Sequence, residues 1–151
     1  MIKHKVYLDT TVPSAYFDDR APDRQKLTKD FWNERLLDFT PVISTIVQLE
    51  IRDTPDLEKR SNMENLVKEL DVLKPNDESD ELTQEYVNRG IFSEKFASDA
   101  NHVAIAVVNG ISFLASWNFR HLVKVNTRRE VNLINALKGY EQIEIIAPPE
   151  L

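Results

Sequence analysis

The chain has 151 residues, enough for one domain with a proper core, and 42% of them are apolar. A formal charge of −6 disfavours broad, nonspecific adhesion to nucleic acid, although local basic patches could still serve one. There is no cysteine, which excludes disulfides, thiolate zinc sites and cysteine nucleophiles and fits a reducing cytosol.

The basic start, Met1 to Lys5, leads into an apolar run too short for a signal peptide, and no segment approaches the length of a membrane span. A cytoplasmic protein with no membrane partner is therefore the expectation. His4–Asp9 reads as a first strand, and Pro13 suits the first turn of a short helix after it. Asp23 to Asp38 reads as one helix with Leu27, Phe31, Leu36 and Leu37 as its apolar stripe. Pro41–Ser44 is a second strand, and Ser44 or Thr45 can cap the helix that carries Glu50.

Thr54-Pro55 opens the next helix, running from Pro55 to Leu70 with Leu57, Met63, Leu66, Val67 and Leu70 facing inward. Asp71–Lys74 is a short third strand. A helix from about Ser79 to Arg89 stops at Gly90. Ser93 or Ser98 then caps helical segments reaching Asn109-Gly110. Ser112–Ser116 is the fourth strand, Trp117 to Val125 a loop or short helix, Arg128–Lys138 the last long helix, and Gln142–Ala147 the fifth strand. Short apolar runs alternating with helical ones predict a parallel sheet of about five strands flanked by helices, with right-handed crossovers. In such a fold, ligands bind beyond the carboxyl ends of the strands at the switch in strand order. If the first and fourth strands are neighbours there, Asp9 and Trp117-Asn118 face one cleft.

Three carboxylates stand where an apolar element meets a turn or a helix start: Asp9, Glu50 and Asp99. A lone acid at the end of a buried strand is costly to desolvate. Three such acids suggest a shared pocket for a hard cation, Mg²⁺ or Mn²⁺. Each also has a plainer reading. Asp9 could cap the turn at Pro13, Glu50 could pair with Arg52 at the surface, and Asp99 could answer the dipole of its helix. His102, three residues after Asp99, shares its helix face and suits a supporting hydrogen bond to the site. Trp117 and Phe119 read as core or rim packing, and Asn118 as a turn residue or a neutral ligand. Arg120, His121, Lys124, Arg128 and Arg129 form the most basic stretch, either a solvated face or a phosphate-backbone contact beside the site.

Taken together, these segments resemble a PIN domain, the fold of the VapC-type toxin ribonucleases, over essentially the whole chain. Tyr7-Leu8-Asp9-Thr10 resembles the opening motif and Ser44 to Glu50 the second. Ser98 to Ala106 is similar to the third and is the most specific. Ser116-Trp117-Asn118-Phe119-Arg120-His121 resembles the fourth, in the form of a PIN subgroup, and Ile143 to Glu150 that subgroup's final strand and tail.

The resemblance implies a single three-layer α/β/α domain over residues 1–151. It implies a metal-dependent endoribonuclease in which Asp9, Glu50 and Asp99 are catalytic and hold Mg²⁺ or Mn²⁺. Thr10, Asn118, His102 and Ser116 would support them or ligate weakly, and Arg120, His121, Lys124 and Arg128 would touch RNA. It further implies an antitoxin protein as partner and a homodimer. Many PIN nucleases carry Asp where this chain has Asn118, and the amide weakens the hold on a second cation. That departure leaves a PIN-like nucleic-acid-binding protein that does not cut as the alternative. A haloacid-dehalogenase-like phosphatase also starts from an Asp at a strand end. It usually needs a second Asp where this chain has Thr11, and an acidic pair where Trp117-Asn118 stands.

Overall fold

In the computed structural model, which describes residues 2–151, five parallel strands form one sheet in the order β3-β2-β1-β4-β5. They are β1 (Lys5–Leu8), β2 (Thr40–Ser44), β3 (Asp71–Leu73), β4 (Phe113–Ala115) and β5 (Glu144–Ile146). Met1, counted above in the basic start and the single-domain span, lies outside the described residues. Val6, Tyr7 and Leu8 have no exposed surface, as expected of a central parallel strand covered on both faces.

The flanking helices are α1 (Thr11–Tyr16), α2 (Pro22–Asn33), α3 (Thr45–Arg52), α4 (Leu57–Val67), α5 (Asp77–Asn88), α6 (Ala97–Val108) and α7 (Val125–Lys138). No described helix is long and apolar enough to cross a membrane. From β1 the chain builds outward through β2 and β3 on one side and β4 and β5 on the other. The strand order therefore reverses between β1 and β4, where Leu8 lies opposite Ala115. That crevice is the expected ligand position of an open parallel sheet.

Ser44 caps α3 as expected, its hydroxyl accepting from the Ile46 backbone N–H at 3.2 Å. Helix α6 is buried almost all round, from Ala100 and again from His102 to Val107. Gly139 takes the left-handed conformation (φ 84°) that ends α7.

Other expectations need correction. Residues 23–38 are two elements, because Glu34 leaves helical geometry (φ −122°, ψ −67°) and the chain restarts as a 3-10 turn, Arg35–Asp38. Phe31 and Leu36 are buried, whereas Leu27 and Leu37 face out. Asp56, not Pro55, sets the start of α4 by accepting from the N–H groups of Glu58 and Lys59, and this turns Leu57 outward, 69% exposed. Asn76 and Ser79 form a reciprocal cap that starts α5 two residues earlier than predicted. Neither Ser93 nor Ser98 makes a side-chain cap, and Ser98 points to Glu50 instead.

Candidate active site

Both arms of the crevice continue past the strand ends. The Asp9 N–H donates to the Ala115 carbonyl at 3.3 Å, and the Ser116 N–H donates to the Ile146 carbonyl at 2.9 Å. Asp9 and Ser116 are thereby brought together in the core, Asp9 at 3% exposure. The Ser116 hydroxyl donates to Asp9 Oδ2 at 2.5 Å. Thr11 donates to Asp9 Oδ1 twice, from its hydroxyl at 2.5 Å and its N–H at 3.1 Å. The turn role foreseen for Asp9 is thus real, and it coexists with the bond to Ser116 in the loop after β4. Thr11 Oγ1 also accepts from the Trp117 N–H at 2.8 Å, tying the loop after β4 to the loop after β1.

Glu50 enters from α3. Its Oε1 accepts from the Thr10 hydroxyl at 2.7 Å and lies 2.7 Å from His102 Nε2, while Oε2 accepts from the Ser98 hydroxyl at 3.3 Å. The surface pairing with Arg52 does not form. His102 is buried and is the hub. Its Nδ1 lies 2.6 Å from the Tyr7 hydroxyl, which in turn lies 2.7 Å from Ser44 Oγ. With His102 protonated, each bond in this chain has one proton: Nε2–H to Glu50, Nδ1–H to Tyr7 and the Tyr7 hydroxyl to Ser44.

Asp99, in the first turn of α6, accepts at Oδ1 from the Asn118 amide at 3.3 Å. Asn118 Oδ1 is taken by the His121 N–H at 2.9 Å, and the Asn118 N–H donates to Ser116 Oγ at 2.9 Å. The amide thus lends Asp99 a donor where an aspartate would add repulsion.

The electrostatics couple each of the three acids to His102. Burial pushes the Asp9 carboxyl up, against the pull of His102 and of the Ser116 and Thr11 bonds. Burial also raises Asp99, with the Glu50 charge adding to it and His102 and His121 opposing. Glu50 is half-buried, which works upward, but the His102 bond and charge and the Thr10 and Ser98 hydroxyls hold it below the usual range. His102 is raised, because Glu50, Asp9 and Asp99 together outweigh the burial that disfavours its charge. Burial raises the Tyr7 phenol strongly, so it remains protonated.

Among the described residues, no group of three or more His, Asp or Glu side chains is arranged to hold a metal ion. Asp9, Glu50 and Asp99 share one network, but they do not form a ready-made three-carboxylate cage. The donor chemistry still fits a hard cation. Glu50 and Asp99 repel each other, and Asp99 Oδ2 has no hydrogen-bond partner among the described residues. Mg²⁺ commonly uses one or two carboxylates and completes its shell with water and substrate phosphate.

The basic stretch is divided. Arg120 and Lys124 are exposed. His121 stacks on Phe96, ring centroids 3.9 Å apart. Arg128 is half-buried and donates to the Ile145 carbonyl at 3.4 Å, which directs it to β5. Sequence reasoning had no site role for Tyr7 or Thr11, and gave Ser98 only to capping. Alternation along a strand puts Tyr7 on the same face as Asp9, which was the available signal for it. Thr11, two residues after an Asp, fits a local side-chain-to-backbone turn.

Neither a family-level sequence profile nor a curated protein matches the chain. A solved structure does: a chain of the crystal structure of VapBC2 from Rickettsia felis bound to a DNA fragment from their promoter. The two share 14% identity and a TM-score of 0.54, over 93% of this chain and 96% of that one. At that identity the likeness shows the fold alone, a parallel five-stranded sheet flanked by helices in the PIN-like arrangement.

Proposed function

We propose that the chain is a metal-dependent endoribonuclease that hydrolyses RNA phosphodiester bonds and serves as the toxin of a type II toxin–antitoxin pair. The observation that carries this reading is the convergence of the three acids at the switch point of the sheet, Asp9 and Asp99 joined through Ser116 and Asn118 and Glu50 held by Thr10 and His102. The shared fold with a chain of the VapBC2 structure supports the toxin reading and an antitoxin as partner, and a homodimer is proposed with them on the resemblance of the motifs alone.

Glu50 and Asp99, with Asp9 behind them, would hold Mg²⁺ or Mn²⁺. Such an ion lowers the pKa of bound water and offsets charge on the phosphate. The protein's own part is positioning. Thr10 and His102 fix the Glu50 carboxylate, and Ser116 and Thr11 clamp Asp9. Asn118 orients Asp99. Ser116 is fully buried, so its hydroxyl is a clamp and not a nucleophile. Both Asp9 oxygens are occupied as acceptors, which disfavours the attack on phosphorus that a haloacid-dehalogenase phosphatase requires. A chain that binds nucleic acid without cutting is the second reading, favoured by the amide at Asn118 and by the missing cage.

Purified protein given Mn²⁺ should shorten an RNA that contains stems and loops. EDTA should stop the loss, and Asp99→Asn should slow it by at least about hundredfold. Equal loss in all three tubes, read on a denaturing gel, would mean contamination and end the hydrolase reading. Replacing Arg120 and Lys124 together by Ala should weaken RNA binding and reduce the slope of log K against log salt by about 1–2. An unchanged slope removes the pair from the interface.

A further inference from the structure

The loop after β4 carries an aromatic and cationic surface that the acid pocket does not use. Trp117 is its anchor: the indole N–H donates to Thr28 Oγ1 at 2.9 Å, and the Thr28 hydroxyl donates to the Arg24 carbonyl at 2.7 Å. This fastens the loop to α2. Phe119 packs edge-on to Trp117, ring centroids 6.1 Å apart and planes at 63°. The Arg24 guanidinium carbon lies 5.0 Å from the Trp117 ring centroid and 5.9 Å from that of Phe119.

Trp117 is buried, and core packing accounts for it. Phe119 is 48% exposed. A single exposed ring is unremarkable by itself. This one lies beside an exposed cation that, among the described residues, has no carboxylate in ion-pair range and no hydrogen-bond acceptor. It also has a place relative to the chemistry. Asn118, between the two aromatics, donates to Asp99, so the Phe119 ring begins one residue from the pocket. A second unit is tethered to the same point. His121, whose N–H holds Asn118 Oδ1, stacks on Phe96, and Lys95 Nζ lies 5.7 Å from the Phe96 ring centroid.

A half-exposed ring next to a cation with no carboxylate partner suits a nucleotide, with the open surface of the ring for a base and the guanidinium for a phosphate. A base inside a duplex is stacked on both faces and cannot offer one, whereas an unpaired base can. The net charge of −6 argues the same way, since an acidic protein gains little from backbone attraction alone and needs local contacts.

We propose that Phe119 and Arg24 form a stacking platform for one unpaired nucleobase beside the acids. This rests on the nuclease reading for its purpose, but binding can be measured apart from cutting.

The test is fluorescence anisotropy with a labelled single-stranded oligoribonucleotide and its blunt duplex. It is run in Ca²⁺ buffer, with the probe checked intact by gel. The wild-type chain should prefer the single strand. Phe119→Leu, which keeps apolar bulk but loses the π face, should weaken single-strand affinity about tenfold, Phe119→Tyr should restore it, and Arg24→Gln should weaken it too. Because the ring is half-exposed, melting temperatures should barely change. Equal affinity for strand and duplex, or single-strand affinity unmoved by Phe119→Leu, overturns the platform. The latter result would also be expected if the ring served a protein partner. Cleavage is scored separately in Mn²⁺. Phe119-dependent binding without any cutting would keep the platform and remove the hydrolase. Cutting with a KM indifferent to Phe119→Leu would remove the platform alone.

Discussion

Asp9→Asn is expected to abolish RNA cleavage while leaving the fold at least as stable as wild type at pH 8. The two effects have one cause. Asp9 is almost fully buried at the end of the central strand, and burial holds its carboxyl above the usual range even though three hydrogen bonds and His102 favour the anion. A carboxylate with a raised folded pKa costs stability when ionised. That cost is absent below the unfolded value, about 4, grows as pH rises, and is complete above the folded value. Asparagine removes the charge and keeps the shape. Its Oδ1 can still accept from the Thr11 N–H, and its Nδ2 can donate to Ser116 once that hydroxyl rotates. The gain at pH 8 should be on the order of 1 kcal/mol, shrinking towards pH 4. Urea titrations at the two pH values, beside a cleavage assay in Mn²⁺, read both effects. A variant that is less stable at pH 8, or one that cuts like wild type, would remove Asp9 from the role assigned to it.

This opposition between stability and function is also what made the site legible. Asp9, Glu50 and Asp99 stand out because each sits where folding must desolvate it, and an acid is a poor choice for such a position on stability grounds alone. The parallel sheet follows from apolar runs alternating with helical ones, whereas the adjacency of the first and fourth strands entered only as a condition and comes from their pairing in the fold. The supporting shell was harder to see. Tyr7 reads as one more apolar residue in a buried strand until its hydroxyl is placed between Ser44 and His102. Ser98 reads as a cap, yet α6 begins at Ala97, and the hydroxyl is therefore free for Glu50.

The break at Glu34 has no glycine or proline to announce it. Leu27, Phe31, Leu36 and Leu37 keep a helical rhythm across a boundary where the backbone at Glu34 leaves helical geometry. Leu57 misled in the opposite way. Pro55 suggested a helix start, but the Asp56 carboxylate caps one residue later and rotates the face. In both segments, the local backbone or a local cap overrode a periodicity that was present.

His102→Gln should reveal the hub through a pH-dependent loss. Facing the imidazole are Tyr7 from β1, Asp9 just beyond it, Glu50 from α3 and Asp99 on its own helix. Its folded pKa is raised, so the stability it supplies as a cation is fully present below the unfolded value, about 6.5, and is lost as pH rises through the folded value. Glu50 has the opposite sign. Its folded pKa is lowered, so its contribution is present above the unfolded carboxylate value, about 4.3, and is lost as pH falls through the lowered value. The pair is therefore strongest near pH 5–6. Raised Asp9 and Asp99 cost stability as pH climbs, in parallel with the weakening of His102⁺, so the wild-type curve alone cannot isolate the hub. The difference between wild type and variant can. Removing the imidazole should cost about 2–3 kcal/mol at pH 6 and less once the pH has risen through its folded value, where the ion pair with Glu50 is gone and hydrogen bonds alone are lost. The lower figure is the better guide, because the Glu50 side chain is 39% exposed and solvent screens the pair. A loss below about 1 kcal/mol at pH 6, the size of one neutral hydrogen bond, would mean that His102 is neutral in the folded chain. The three acids would then lack the buried cation that all of them face.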